Sequence, residues 1–148
     1  MNIGKKFEQI FKQDWEETVQ NSFIYRLKDT QSGYKGVGNV SDFICYKLPN
    51  LFLIECKTHK GKYFPFSAFR QYEVMKKYVD MPGIKAGVVL WMRDYDMVIW
   101  VPIQVFIELE NRGAKSLSID EINRRSDIIR VDYIKKRTYV HSNFSKII

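Results

Sequence analysis

Cysteine is scarce. Only two occur among the 148 residues, Cys45 and Cys56, and they lack the CxxC spacing of a metal site. A disulfide framework and a zinc centre are therefore excluded as organising features, and both residues read as small buried side chains within strands. No apolar run approaches the ~20 residues that a membrane span needs. The opening MNIGKKFEQIFKQDW also lacks the apolar stretch of a signal peptide, so the expectation is a cytoplasmic protein with no membrane partner. Four prolines and eight glycines are too few and too scattered for a linker, a repeat or a low-complexity tract. Acid is the minority charge, 17 residues against 24 lysines and arginines.

What is present suits a globular chain. A 45% hydrophobic fraction with 15% aromatics supplies apolar surface for a real core, and the length suits one domain over residues 1–148. The net charge of +7 gathers in two segments. Between residues 57 and 77, Lys57, Lys60, Lys62, Arg70, Lys76 and Lys77 stand against a single acid, Glu73. After residue 123, Arg124, Arg125, Arg130, Lys135, Lys136, Arg137 and Lys146 stand against Asp127 and Asp132. Clustered base of this kind suits a polyanion such as nucleic acid, and suits a solvated basic surface equally well.

Phe7, Ile10, Phe11, Trp15 and Val19 fall on one helical face and predict a helix over residues 4–21, with Glu8 at the border of that face. A strand follows at 23–27, then a polar loop or loosely held hairpin over 28–39. Residues 42–46 and 51–56 read as a hairpin around Lys47-Leu48-Pro49-Asn50. Its second strand, LFLIEC, is almost continuously apolar and belongs in the middle of a sheet. Ser67 is placed to cap a helix over 68–79. Strands over 85–92 and 97–101 form a second hairpin, and a helix over 102–110 follows. Ser118-Ile119-Asp120-Glu121 matches a capping box for a short helix to residue 124. A strand over 128–134 and a basic tail close the chain. This order describes an α/β sandwich around a mixed sheet.

The chemistry concentrates in the first hairpin. If Tyr46 faces Leu51, antiparallel pairing sets Asp42 opposite Glu55, with side chains about 5 Å apart. Two like charges there are unfavourable unless something positive lies between them, and a divalent cation would serve. Strand alternation points Glu55 and Lys57 to one face and Cys56 to the other. Asp42 and Glu55 offer hard oxygen ligands to Mg²⁺, with the Cys56 backbone carbonyl as a further one. Lys57 is placed to orient or deprotonate a water, or to contact phosphate. Glu8 adds a carboxylate if the first helix packs against this edge. The alternative pairs Glu55 with Lys57 or a nearby arginine at the sheet rim. Trp15, Trp91 and Trp100 read as core, and His59 and His141 as solvated side chains. Tyr63, Phe64 and Phe66, interleaved with Lys60 and Lys62, either touch DNA or pack beneath the helix that follows.

GKKFE near the start, SDF before the hairpin, IECK at its end, FPFSAF-RQ and the KAGVVLWM strand resemble, in order and approximate spacing, the RecU-type Holliday junction resolvases among the PD-(D/E)XK nucleases. The resemblance covers residues 4–122. It implies a restriction-endonuclease-like sandwich, with a central mixed β-sheet flanked by α-helices. It also implies a homodimeric, Mg²⁺- or Mn²⁺-dependent endonuclease that makes paired nicks in four-way DNA junctions. By position, Asp42 and Glu55 become metal ligands and Lys57 the catalytic lysine. Glu8 becomes the acidic residue of the first helix, and Gln71 the polar residue of the helix after the catalytic strands. Lys60, Lys62, Arg70, Lys5 and Lys6 are the expected DNA contacts. The family's junction-entering stalk has only residues 28–41 to correspond to it here, so it is expected to be short or absent, as in a compact phage-type enzyme. Other branched or duplex DNA as substrate, or DNA binding without catalysis on the same fold, are the alternatives.

Overall fold

Asn2 accepts the Lys5 amide at 2.8 Å and so caps helix α1 (Ile3–Thr18), satisfying one of the amides that a helix start leaves bare. The computed structural model to which this helix belongs describes residues 2–28, 38–137 and 139–148. The predicted loop over 28–39 lies outside them except at its ends. Strands β1 (Phe23–Arg26), β2 (Phe43–Lys47) and β3 (Asn50–His59) form an antiparallel meander. After β4 (Tyr63–Pro65) and helix α2 (Tyr72–Met75), strand β5 (Ile84–Met92) runs parallel to β3. Strand β6 (Met97–Pro102) then returns antiparallel to β5. Helix α3 (Ile103–Asn111), β7 (Ser116–Ser118), α4 (Ile119–Arg124) and β8 (Ile129–Arg130) follow, and a hairpin of β9 (Asp132–Lys136) and β10 (Tyr139–Asn143) comes last.

The six-stranded sheet has the order β1-β2-β3-β5-β6-β8, so the apolar strand β3 is central, as its composition predicts. One face carries α1, whose Phe7, Phe11 and Trp15 pack with Phe43, Phe52, Ile54 and Trp91. The other carries α2, α3 and the β4–β7 ribbon, through Tyr72, Met75, Phe106 and Leu117 over Leu53 and Val88. All three tryptophans are at most 3% exposed and both cysteines are buried and free. Gly87 permits the close approach of β6, since a Cβ there would meet the Val101 carbonyl oxygen at 2.3 Å. Among the described residues no helix is long and apolar enough to cross a membrane.

Three predicted elements differ. The strand expected over 128–134 is divided at Val131, Ile129–Arg130 pairing with β6 in the main sheet and Asp132–Lys136 with β10. The helix expected over 68–79 is broken into a 3-10 turn at Phe66–Ala68, the short α2, and another 3-10 turn at Lys76–Tyr78. Ser67 caps nothing. Phe66, Phe69, Tyr72 and Met75 recur every third residue, the period of a 3-10 turn, and the first three gather around Phe106. The basic tail is likewise not a tail. It forms the β9–β10 hairpin and a 3-10 turn at Phe144–Ile147, burying Val140, Phe144 and Ile147 beside α1.

A buried carboxylate fastens this hairpin. Asp14 of α1, 3% exposed, accepts the Ser142 amide at 2.7 Å and faces His141 Nδ1 at 3.0 Å. His141, expected as a solvated side chain, is thus part of a clasp. Removing the carboxylate leaves a buried amide without an acceptor, which costs about 1–3 kcal/mol. Asp14→Ala is expected to lower the denaturation free energy by that amount, measured in urea. An unchanged midpoint would show that the clasp adds nothing.

Candidate active site

Strands β2 and β3 pair with Tyr46 opposite Leu51 and Lys47 opposite Asn50. The turn proper is Leu48-Pro49, joined by a cis peptide. Continuing the register beyond Phe43 and Ile54 sets Asp42 opposite Glu55, as the sequence predicts. The two residues interlock. The Asp42 amide donates to Glu55 Oε2 at 3.1 Å, and the Cys56 amide donates to Asp42 Oδ2 at 2.9 Å. Each carboxylate is therefore fixed by a backbone N–H from the opposing strand.

Glu55 shares its face of β3 with Leu53 and is only 2% exposed. Burial pushes its carboxyl up to about 8; the Asp42 charge adds to the rise, and Lys57, with Nζ 3.5 Å from Glu55 Oε1, opposes it. Asp42 is raised too, chiefly by burial, with the Cys56 amide pulling the other way. Both carboxyls are raised, chiefly by burial, so the pair resists carrying two full negative charges. A proton and the Lys57 ammonium supply the positive charge that two opposed carboxylates require. The chemistry of the pair suits a divalent cation, because the donors are hard oxygens already held by amides. Among the described residues no group of three His, Cys, Asp or Glu side chains gathers to hold a metal alone. A pair of carboxylates suits Mg²⁺, which keeps waters and shares itself with substrate phosphates.

The remaining expected residues lie as follows. The Cys56 side chain points into the α1 face, and burial first, then the Asp42 and Glu55 charges, raise its thiol, so only its carbonyl is available as a ligand. Glu8 lies on α1, across the sheet from the Glu55 face. It accepts from Arg26 Nε at 3.0 Å and Nη2 at 2.6 Å and stands 3.9 Å from Lys5 Nζ. Its charge nonetheless contributes to raising Asp42. Gln71 directly precedes α2 on the Glu55 side, and its Oε1 is buried with no hydrogen-bond partner. Lys60 and Arg70 are exposed, without an acidic partner among the described residues. Lys62 pairs with Asp120 at 3.1 Å, and Lys6 lies 5.6 Å from the Tyr139 ring centre. Phe64 and Phe66 pack on Phe106, whereas Tyr63 stays exposed.

Sequence reasoning missed two contributors. Arg26 shares its β1 face with Ile24, which α1 covers; an inward cation needs an acid, and that was the available signal for its pairing with Glu8. Asp94, in the β5–β6 turn, accepts the Gly61 amide at 2.8 Å and holds the basic loop beyond Lys57. Turn chemistry alone does not reveal that partner.

No protein-family model matches the chain, and no curated protein matches it. Among solved structures it is similar to Hjc, a Holliday junction resolvase from the archaeal hyperthermophile Archaeoglobus fulgidus, at 15% identity and a TM-score of 0.50. The match covers 87% of this chain and 88% of that one. At this identity the likeness establishes the fold, which is the restriction-endonuclease-like sandwich expected from the sequence.

Proposed function

We propose that the chain is a divalent-metal-dependent endonuclease that resolves four-way DNA junctions, as a compact RecU-like enzyme acting in the cytoplasm as a homodimer. The observation that carries this is the buried, interlocked Asp42–Glu55 pair with Lys57 on its open side. Burying two carboxylates together is costly unless the site has a use for them. A bound Mg²⁺ or Mn²⁺ supplies charge neutralisation at phosphorus and acidity to water. Asp42 and Glu55 would hold the ion, with the Cys56 carbonyl as a further ligand, and their ionised forms would be favoured by it. Lys57, 28% exposed, donates to the phosphate and orients the attacking water. Gln71 offers its unpaired Oε1 to that water, and Glu8 acts through its charge on Asp42. Water adds at phosphorus and gives up a proton to solvent as the bond to the 3′ oxygen breaks, and that oxygen takes a proton from solvent, leaving 5′-phosphate and 3′-hydroxyl ends. Lys60, Lys62, Arg70, Lys5 and Lys6 bind the flanking phosphates.

End-labelled four-way junctions and linear duplexes of the same sequence, incubated with Mg²⁺, Mn²⁺ or chelator, test this directly. Paired nicks are expected in the junction, only with metal, and at least about tenfold faster than any duplex cleavage, a difference of about 1.4 kcal/mol. No cleavage under any metal or salt would reject the nuclease. Equal cleavage of duplex would reject junction selectivity.

A further inference from the structure

The structure separates the basic residues after residue 123 into two groups. Five of the seven are bonded within the fold, Arg125 to Asp127 at 2.9 Å, Lys135 to Asp96 at 2.8 Å and Lys146 to Asp132 at 3.0 Å among them. Lys136 and Arg137 have no such partner among the described residues, and they are neighbours at the tip of the β9–β10 hairpin. Both are exposed, and Arg137 adopts a left-handed backbone conformation, φ 54°, at the turn. Tyr139, paired across the hairpin with Lys136, lies under the Lys6 ammonium. Three cations thus gather at one corner.

The hairpin backbone is held along its length, and only the cations at its tip are left without an acidic partner among the described residues. Asp14 clasps Ser142 and His141 on one side, and Asp96 receives Lys135 on the other. The β5–β6 turn that carries Asp96 also carries Asp94, which holds the loop after Lys57. Lys6 lies two residues from Glu8, whose charge acts on Asp42. The corner therefore belongs to the same end of the molecule as the carboxylate pair, but on the α1 side of the sheet. A two-stranded ribbon with a held backbone and unpaired cations at its tip suits duplex DNA, because little backbone freedom remains to be lost on binding and a ribbon fits a groove.

We infer that the β9–β10 hairpin tip is a second DNA-contacting element, in which Lys136 and Arg137, with Lys6 beside them, grip backbone phosphates of a duplex arm; this rests on DNA being the substrate. What favours DNA over a merely solvated surface is that the two unpaired cations stand beside Lys6 at one corner, across the hairpin from Tyr139.

The test is anisotropy of a labelled four-way junction, without metal, titrated with the parent, with Lys136→Gln/Arg137→Gln, and with Lys60→Gln/Arg70→Gln, from about 50 to 200 mM salt. Losing two phosphate contacts should reduce the slope of log K against log salt by about 1.8 and weaken binding about tenfold at the lower salt. Hydroxyl-radical footprints should lose protection on one arm, a change that a purely structural role would not produce. If the Lys60/Arg70 variant weakens binding while the tip variant matches the parent in slope and footprint, the hairpin inference fails and DNA recognition stands. If the parent itself binds no DNA, both fail.

Discussion

Asp42→Asn is expected to reduce metal-dependent nicking by at least about 10³-fold, the scale of removing a principal electrostatic stabiliser from an active site. Asparagine keeps the size of the side chain and an oxygen for the Cys56 amide, which now bonds to Asp42 Oδ2 at 2.9 Å, so the hairpin should fold as before. What it removes is one negative charge from the pair, and with it the reason for a cation to bind between the strands. Single-turnover cleavage of a junction, with far-ultraviolet dichroism as a check on folding, measures the effect. A variant that keeps more than about a tenth of the parental rate would remove Asp42 from the metal site, since a tenfold loss is only about 1.4 kcal/mol of barrier.

Glu55→Gln is expected to abolish cleavage as well, and to stabilise the metal-free protein at alkaline pH. The Glu55 carboxyl rises from 4.5 to about 8 on folding. Below the lower value it is protonated in both states and imposes no penalty. Between the two, the unfolded chain has ionised while the folded chain still holds its proton, so stability falls as pH rises and the loss is complete above about 8. Its size is on the order of a few kcal/mol. Glutamine does not ionise and still accepts from the Asp42 amide, so the variant should overtake the parent between about pH 5 and pH 8. Metal reverses the order, because it favours the ionised pair; the parent's Mg²⁺ affinity should rise over the same window with release of a proton. Urea denaturation at both pH values, with chelator and with Mg²⁺, reads all of this. Parallel stability profiles for the two proteins would mean that Glu55 ionises freely in the fold.

Much of the site was legible because a hairpin is local. Tyr46 opposite Leu51 fixes Asp42 opposite Glu55 through nothing more than a short turn and the two-residue period of a strand. The central position of β3 followed from its unbroken apolar run. What escaped depends on contacts between distant parts of the chain. Phe106 gathers Phe66, Phe69 and Tyr72 and breaks a helix that local spacing predicts. His141 reads as solvated until Asp14 is beside it, and the pairing of Arg26 with Glu8 spans 18 positions of chain. Charge counting left the C-terminal segment open between a polyanion-binding and a solvated basic surface, whereas five of its seven cations are bonded within the fold.

The Asp14 clasp joins residues 128 positions apart in the chain. In kinetic terms such a contact closes late, because neither partner is constrained toward the other until the sheet between them exists. Its loss should then appear almost entirely in the unfolding limb: Asp14→Ala would unfold faster and refold at the parental rate. A slowed refolding limb in stopped-flow measurements would instead put the clasp in the folding nucleus. If it does close last, α1 has its outer flank bare until residues 140–144 are synthesised, and the hairpin that carries Lys136 and Arg137 is the part of the molecule that seals it.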